Sequence, residues 1–350
     1  MPSALGLANV AAMSAPITSQ PHPAPAATPL VDRVPWAAVV VFVVMACALA
    51  WLVVLPLWLD GSGLANPLAA LLLPVMMFTP AVAALFVVFM VQRPRPASIP
   101  EYLGLWPLRP VKRTIWMTVF GIFGSALLVV AGVFLAAALG LVQLDLVAFS
   151  GFAQILDAAN PTSSPIPVGM VVLIQLLTIP VAAIFNGFFA LGEELGWRGW
   201  LLPSLRPLGT WPALLISGAV WGFWHSPVIL LGYNFAQPNL LGMALMVGGC
   251  VFYGILIGWL RLRTASVWPS VFAHGAFNAA AGFLILVAAA GTSADPAALG
   301  PLGWVAWIVM AVVIGVLVLT GQFRIQPRLE RRPRISPPAA VVPGSGPAGV

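Results

Sequence analysis

Residues 36–59 read WAAVVVFVVMACALAWLVVLPLWL, a run without a single charge. A helix needs about 20 apolar residues to cross the hydrocarbon core of a bilayer. Seven more runs of this kind follow, near 67–92, 114–142, 168–192, 211–232, 239–260, 267–291 and 302–321. The fourth can continue to about Leu202, past a polar patch. The chain of 350 residues is 61% hydrophobic and only 7% charged, with a mean hydropathy of +1.03. An ordinary soluble domain is about 25% charged. So few charges exclude one large soluble core and exclude disorder over most of the length. The expected fold is all-α, a polytopic transmembrane helix bundle of about eight spans.

The remaining segments divide the chain. Residues 1–33 are rich in Ala, Pro and Ser. They lack a basic segment followed by an apolar core, so they read as a flexible tail and not a signal peptide. Residues 34–322 form the transmembrane domain, and 323–350 a flexible basic tail. The net charge of +6 points to topology and not to nucleic acid. Arg33, Arg93, Arg95, Arg109, Lys112, Arg113, Arg206, Arg261, Arg263 and the arginines after Phe323 all fall on one side of an eight-span path. Asp60, Asp145, Asp157 and Asp295 fall on the other. The positive-inside rule then places both termini in the cytoplasm, of a bacterial plasma membrane on this reading.

Charge inside a span is expensive, about 2.5–3.5 kcal/mol for a central Arg or Asp. Glu193, Glu194 and Arg198 nevertheless stand together in LGEELGWRGW, residues 191–200. On a helix Glu194 and Arg198 are one turn apart on one face, so Arg198 can neutralise Glu194. Glu193 points elsewhere and is left without a local partner. One glutamate reads as structural, the other as free to accept a proton; an interfacial salt-bridge cluster is the alternative. Two histidines also fall in apolar runs, His225 in WGFWHSP and His274 in FAHGAFN. Asn278, four residues after His274, shares its helix face. Each alone is equally readable as interhelical glue. Together, two carboxylates, two imidazoles and an amide supply a general base, an orienting group and oxyanion donors. That set suits hydrolysis by an activated water. No Gly-x-Ser-x-Gly occurs, and Ser226 beside His225 is not placed for triad chemistry. Cys47 and Cys250 make no CxxC pair, which excludes a cysteine-based zinc site.

These residues resemble the CPBP family, the type II CAAX prenyl endopeptidases and their bacterial relatives, often called Abi or bacteriocin-processing proteins. That family shows Glu-Glu-x-x-x-Arg, then Phe-x-x-x-His, then His-x-x-x-Asn or Asp on successive membrane helices. Glu193-Glu194-x-x-x-Arg198 and His274-x-x-x-Asn278 match fully; Trp221 stands where Phe is usual before His225. The resemblance covers residues 193–278. It implies an eight-helix fold with an intramembrane polar chamber open toward the cytoplasm. It also implies that Glu193 is the base, that His225 assists it, and that His274 and Asn278 stabilise the oxyanion. Glu194, Arg198 and Trp221 support them. The substrate implied is a membrane-associated peptide, either a CAAX-type prenylated tail or a bacteriocin-like peptide. Membrane lipids and a lipidated or membrane-bound substrate are the expected partners, with no nucleic acid.

No cofactor is expected. Zinc would need Glu193, His225 and His274 as ligands, without a His-Glu-x-x-His motif to support it. A transporter or channel using the Glu/His cluster as a proton or ion path, and a non-catalytic scaffold, are the other functional classes. One geometric demand follows. His225 lies roughly 21 Å along its helix from Trp211, whereas His274 lies about 10–12 Å into its own span. For the two to meet, the fifth helix must start deeper or tilt, which a short turn at residues 206–209 would permit.

Overall fold

The computed structural model describes residues 33–92, 99–108, 110–159 and 166–324. The two expected tails lie outside the described residues, except for Arg33, Phe323 and Arg324. The described residues form helices joined by turns and loops, with no strand and one isolated bridge between Leu144 and Ala288. In chain order the helices are α1 Trp36–Leu59, α2 Ala69–Met76, α3 Thr79–Phe86, α4 Ile99–Tyr102, α5 Val111–Ala138 and α6 Ser150–Ala159. Then follow α7 Val168–Glu194, α8 Leu202–Leu205, α9 Thr210–Trp224, α10 Ser226–Ile229 and α11 Leu240–Thr264. The chain closes with α12 Trp268–Ala280, α13 Phe283–Val287, α14 Pro296–Leu299 and α15 Trp304–Leu319.

Among the described residues seven helical stretches are long and apolar enough to cross a membrane: Trp36–Leu59, Ala69–Val91, Val111–Ala138, Val168–Leu208, Leu240–Thr264, Trp268–Val287 and Pro296–Leu319. The chain is thus an integral membrane protein. The fourth stretch runs on past the polar patch through a π-helical segment, Leu195–Leu201, into α8. The fifth apolar run does not form one long helix. It divides into α9 and α10 at His225, because Pro227 two residues on has no N–H and its ring meets the carbonyl four residues back.

Two sets of contacts define the ends of the bundle. At one end Trp268 Nε1 donates to Leu105 O (3.1 Å) and Trp211 packs on Phe323. The ends of α5, α8 and α11 here carry Lys112, Arg113, Arg206 and Arg263. At the other end Asp145 N donates to Val287 O and Ala289 N to Gln143 O. Its loops carry Asp60, Asp145 and Asp295, and the short helix α6 carries Asp157. We call these the basic and the acidic end.

Apolar side chains do not drive helix association in lipid, so close backbone approach matters. Gly218 and Gly222, four apart on α9, press on α11: a Cβ at either would lie 2.8 Å from Val251 Cα and 2.5 Å from Val247 Cα, respectively. The helix α12 packs between α5 and α7. At Gly275 an added Cβ would meet Ala183 O and lie 2.7 Å from Gly187 N. Gly275 therefore sets how near the residue before it, His274, comes to α7. Overpacking of this kind costs about 1–3 kcal/mol. Gly275→Val should lower the unfolding midpoint in detergent, followed by tryptophan fluorescence, whereas Gly282→Ala, where a Cβ meets nothing within 4 Å, should leave it unchanged.

Candidate active site

The residues expected at the site converge. Glu193, Trp221, His225, His274 and Asn278 line one cavity of about 400 Å³. The turn expected at 206–209 is present, as a 3-10 turn Arg206–Leu208 followed by Gly209 at φ 105°. Only glycine adopts that backbone readily. It starts α9 so that His225, at its far end, reaches the same cavity as His274, which sits midway along α12.

Glu194 is the most connected group. Its Oε1 accepts from Arg198 Nη1 at 2.8 Å and from His274 Nδ1 at 2.9 Å. All three side chains are buried. The expected Glu194–Arg198 pair is thus formed, and it also orients the histidine of α12. Arg198 in addition lies over the Trp221 ring, 4.3 Å from its centroid, a cation–π contact that desolvation strengthens. Gly254 of α11 makes room for it, since a Cβ there would lie 3.1 Å from Arg198 Nη2.

Glu193 has a partner that the sequence reading missed. Trp221 Nε1 donates to its Oε2 at 2.6 Å. The phenylalanine usual at that position in the resembling family has no N–H to give, so the departure adds a donor to the base candidate. His225 is fixed as well. Its backbone N–H bonds to Gly222 O at the helix break, and its Nδ1 lies 2.9 Å from Trp221 O. A carbonyl only accepts, so Nδ1 carries the proton and Nε2 keeps its lone pair.

A second layer holds these groups. Tyr253 of α11 donates its hydroxyl to Ala273 O, 2.8 Å away, and so accepts from Ser125 of α5. This ties down the residue before His274. Trp224 Nε1 donates to Thr79 Oγ1, which bonds to Ala46 O, anchoring the residue before His225 to α3 and α1. None of these partners was singled out in the sequence. They are single hydroxyls in apolar runs, and only the tertiary fold shows what they meet.

Arg261 differs from its sequence reading as a loop charge. It is fully buried within α11. Its Nε donates to Arg198 O at 2.9 Å, and Nη2 reaches Tyr102 O at 3.4 Å. A π-helical carbonyl accepts from the residue five ahead. For Arg198 that residue is Pro203, without an N–H, and Arg261 supplies the missing donor.

Among the described residues no three His, Cys, Asp or Glu side chains are grouped as a metal site. Glu193, His225 and His274 share the cavity wall but do not converge as ligands, and one Glu193 oxygen is engaged by Trp221. As placed, these three side chains form no ligand set for a zinc ion.

The cavity wall also includes Tyr233 and Asn234, between α10 and α11, and Gly300 and Leu302, between α14 and α15. Toward the basic end, Phe42, Trp197, Trp200 and Trp224 pack in mutual ring contact and are buried.

Residues 172–280 match the family model described as Rce1-like, type II CAAX prenyl endopeptidase Rce1-like. The matched stretch contains Glu193, Glu194, Arg198, His225, His274 and Asn278. No curated protein matches the sequence.

The two adjacent glutamates should separate in stability. Removing one partner of a buried ion pair costs about 3–5 kcal/mol, and leaving one buried donor unpaired about 1–3 kcal/mol. Glu194→Ala should therefore lower the unfolding free energy in detergent markedly more than Glu193→Ala. Equal losses would contradict the assignment of Glu194 as the structural carboxylate.

Proposed function

We propose, on the premise that residues 172–280 belong to the Rce1-like family of type II CAAX prenyl endopeptidases, that this protein is an intramembrane endopeptidase acting on a membrane-associated peptide by glutamate-activated water. The observation that carries the reading is the division of labour between the adjacent glutamates. Glu194 is buried off the cavity wall with its Oε1 held by Arg198 and His274, while Glu193 lines the cavity and has one oxygen held by Trp221.

In the proposed reaction a water sits between Glu193 and His225. Glu193 takes one of its protons as general base, and His225 Nε2 accepts a hydrogen bond from the O–H that remains, which orients the oxygen. The oxygen attacks the scissile carbonyl carbon, and the carbonyl becomes a tetrahedral oxyanion. Asn278 Nδ2–H donates to it, as does His274 Nε2–H when the ring carries its second proton, with Nδ1–H held by Glu194. The C–N bond then breaks, and the leaving nitrogen takes the proton that Glu193 acquired. Trp221 acts through Glu193: its indole holds the carboxylate in one orientation. The substrate is a prenylated CAAX-type tail or a bacteriocin-like peptide. On the positive-inside rule the basic end, and with it both termini, faces the cytoplasm. A proton or ion path would need a continuation to the basic end, which the packed tryptophans occupy among the described residues.

The test is cleavage of a quenched fluorescent peptide library, prenylated CAAX peptides included, by the detergent-solubilised protein with and without a chelator. Glu193→Gln should lower turnover by roughly 10²–10⁴-fold, the range of general-base catalysis. Chelator should leave the rate unchanged. Trp221→Phe should lower kcat by about ten- to a hundredfold with KM little changed, the loss of one hydrogen bond to an ionised group. Folded protein that cleaves no peptide would sink the reading.

A further inference from the structure

The chamber walls repeat at helical spacing. From α7 the chamber is lined by Asn186, Phe189 and Glu193, and from α12 by His274, Asn278 and Ala281. Residues three, four and seven apart share one face of a helix, so each wall is one continuous stripe. The two helices run antiparallel: a Cβ at Gly187 would meet Phe272, and one at Gly275 would meet Ala183 O. Asn186 and Ala281 are thus displaced in the same direction from Glu193 and His274. The chamber is a groove with the proposed chemistry at one end of these stripes and Asn186 toward the other. Seven residues at 1.5 Å each put Asn186 about 10.5 Å from Glu193 along the helix. An extended peptide rises about 3.3 Å per residue, so roughly three residues cover that length.

Asn186 is an amide well inside the apolar stretch Val168–Leu208. Its neighbour Gly187 packs against α12, and Ile184, Phe185 and Phe188 around it are exposed. A polar side chain at this depth is costly and calls for a partner. Interhelical glue would bond to another helix. Among the described residues, the one hydrogen bond of the Asn186 side chain stays in its own helix, Nδ2 donating to Ala182 O at 3.0 Å. That leaves Oδ1 and the second N–H of Nδ2. A carboxamide with one acceptor and one donor to spare matches a peptide unit, which offers one N–H and one C=O. A peptide drawn into such a chamber leaves water behind, and its backbone groups then cost free energy unless they are paired.

Resting on the endopeptidase reading above, we propose that Asn186 is a substrate-binding residue that holds the backbone of an extended peptide about three residues from the scissile bond. Asn186 Oδ1 accepts from a peptide N–H there, and Nδ2 donates to a peptide C=O. The contact is with the main chain. It sets where the bond to be cut lies without demanding a particular side chain.

The test uses the full-length protein in detergent and the best-cleaved peptide of the quenched library. That peptide is remade with a single N-methyl group on each amide in turn, on both sides of the cleaved bond. Asn186→Leu removes the side-chain amide at similar volume, and Asn186→Ala removes it without adding apolar bulk. Either variant should raise KM about tenfold with kcat little changed, the loss of one or two hydrogen bonds. One N-methyl group, about three residues from the cut, should cost the wild type about tenfold and the variants nothing further. Variants that cleave like the wild type overturn the inference and leave the protease standing. So does a wild type indifferent to N-methylation at that distance, and so does a loss in the variants that adds in full to the N-methyl loss. A wild type that cleaves no peptide at all overturns the endopeptidase reading, and the inference with it.

Discussion

One carboxylate oxygen organises this protein. Glu194 Oε1 takes a guanidinium from its own helix and an imidazole from α12. A buried charge without partners would be intolerable in a bilayer, and a buried pair is sustained only by close geometry. The geometry is supplied by small residues. Gly275 and Gly187 bring α12 against α7, and Gly254 leaves the space in which Arg198 lies. Spending Glu194 on structure is what leaves Glu193, one residue earlier, turned toward the cavity.

The same logic recurs at the helix irregularities. Each releases a backbone carbonyl, and in each case a polar side chain at or behind the candidate site satisfies it. Where α9 stops, the carbonyl of Trp221 takes the imidazole of His225. Where the π-helical turn meets Pro203, the carbonyl of Arg198 takes the guanidinium of Arg261. Water is scarce at this depth, so a broken helix must find internal partners. These breaks therefore fix tautomer and orientation at the site, which regular helices would not do.

The fold was legible because charge is so rare: the run at 36–59 and its repeats leave only a bundle of membrane helices. The site was legible for the same reason, since Glu193, Glu194, Arg198, His225, His274 and Asn278 are among the few polar groups in apolar runs. What the sequence hid were relations across helices. The proline at 227 is visible, but a proline within an apolar run does not always end the helix, as Pro180 inside α7 shows. Trp221 looked like a conservative aromatic exchange; its value lies in an N–H aimed at a carboxylate 28 positions earlier. Arg261 looked like a topology charge because it sits one residue past an apolar run, and only the extension of α11 to Thr264 buries it.

The glycine contact between α9 and α11 has a bearing on how the site can vary. With Gly218 and Gly222 seated directly on the backbone of α11, there is no compliant layer of side chains between the two helices. A small slide along the axis would drive a neighbouring bulky residue into the partner backbone, so only a displacement by about one helical turn, 5.4 Å, would restore a comparable fit. Packed interfaces of this sort switch between discrete arrangements and do not deform continuously. The depth of His225 in the membrane is accordingly a stepwise quantity, set by a ratchet of glycines some distance from the imidazole itself.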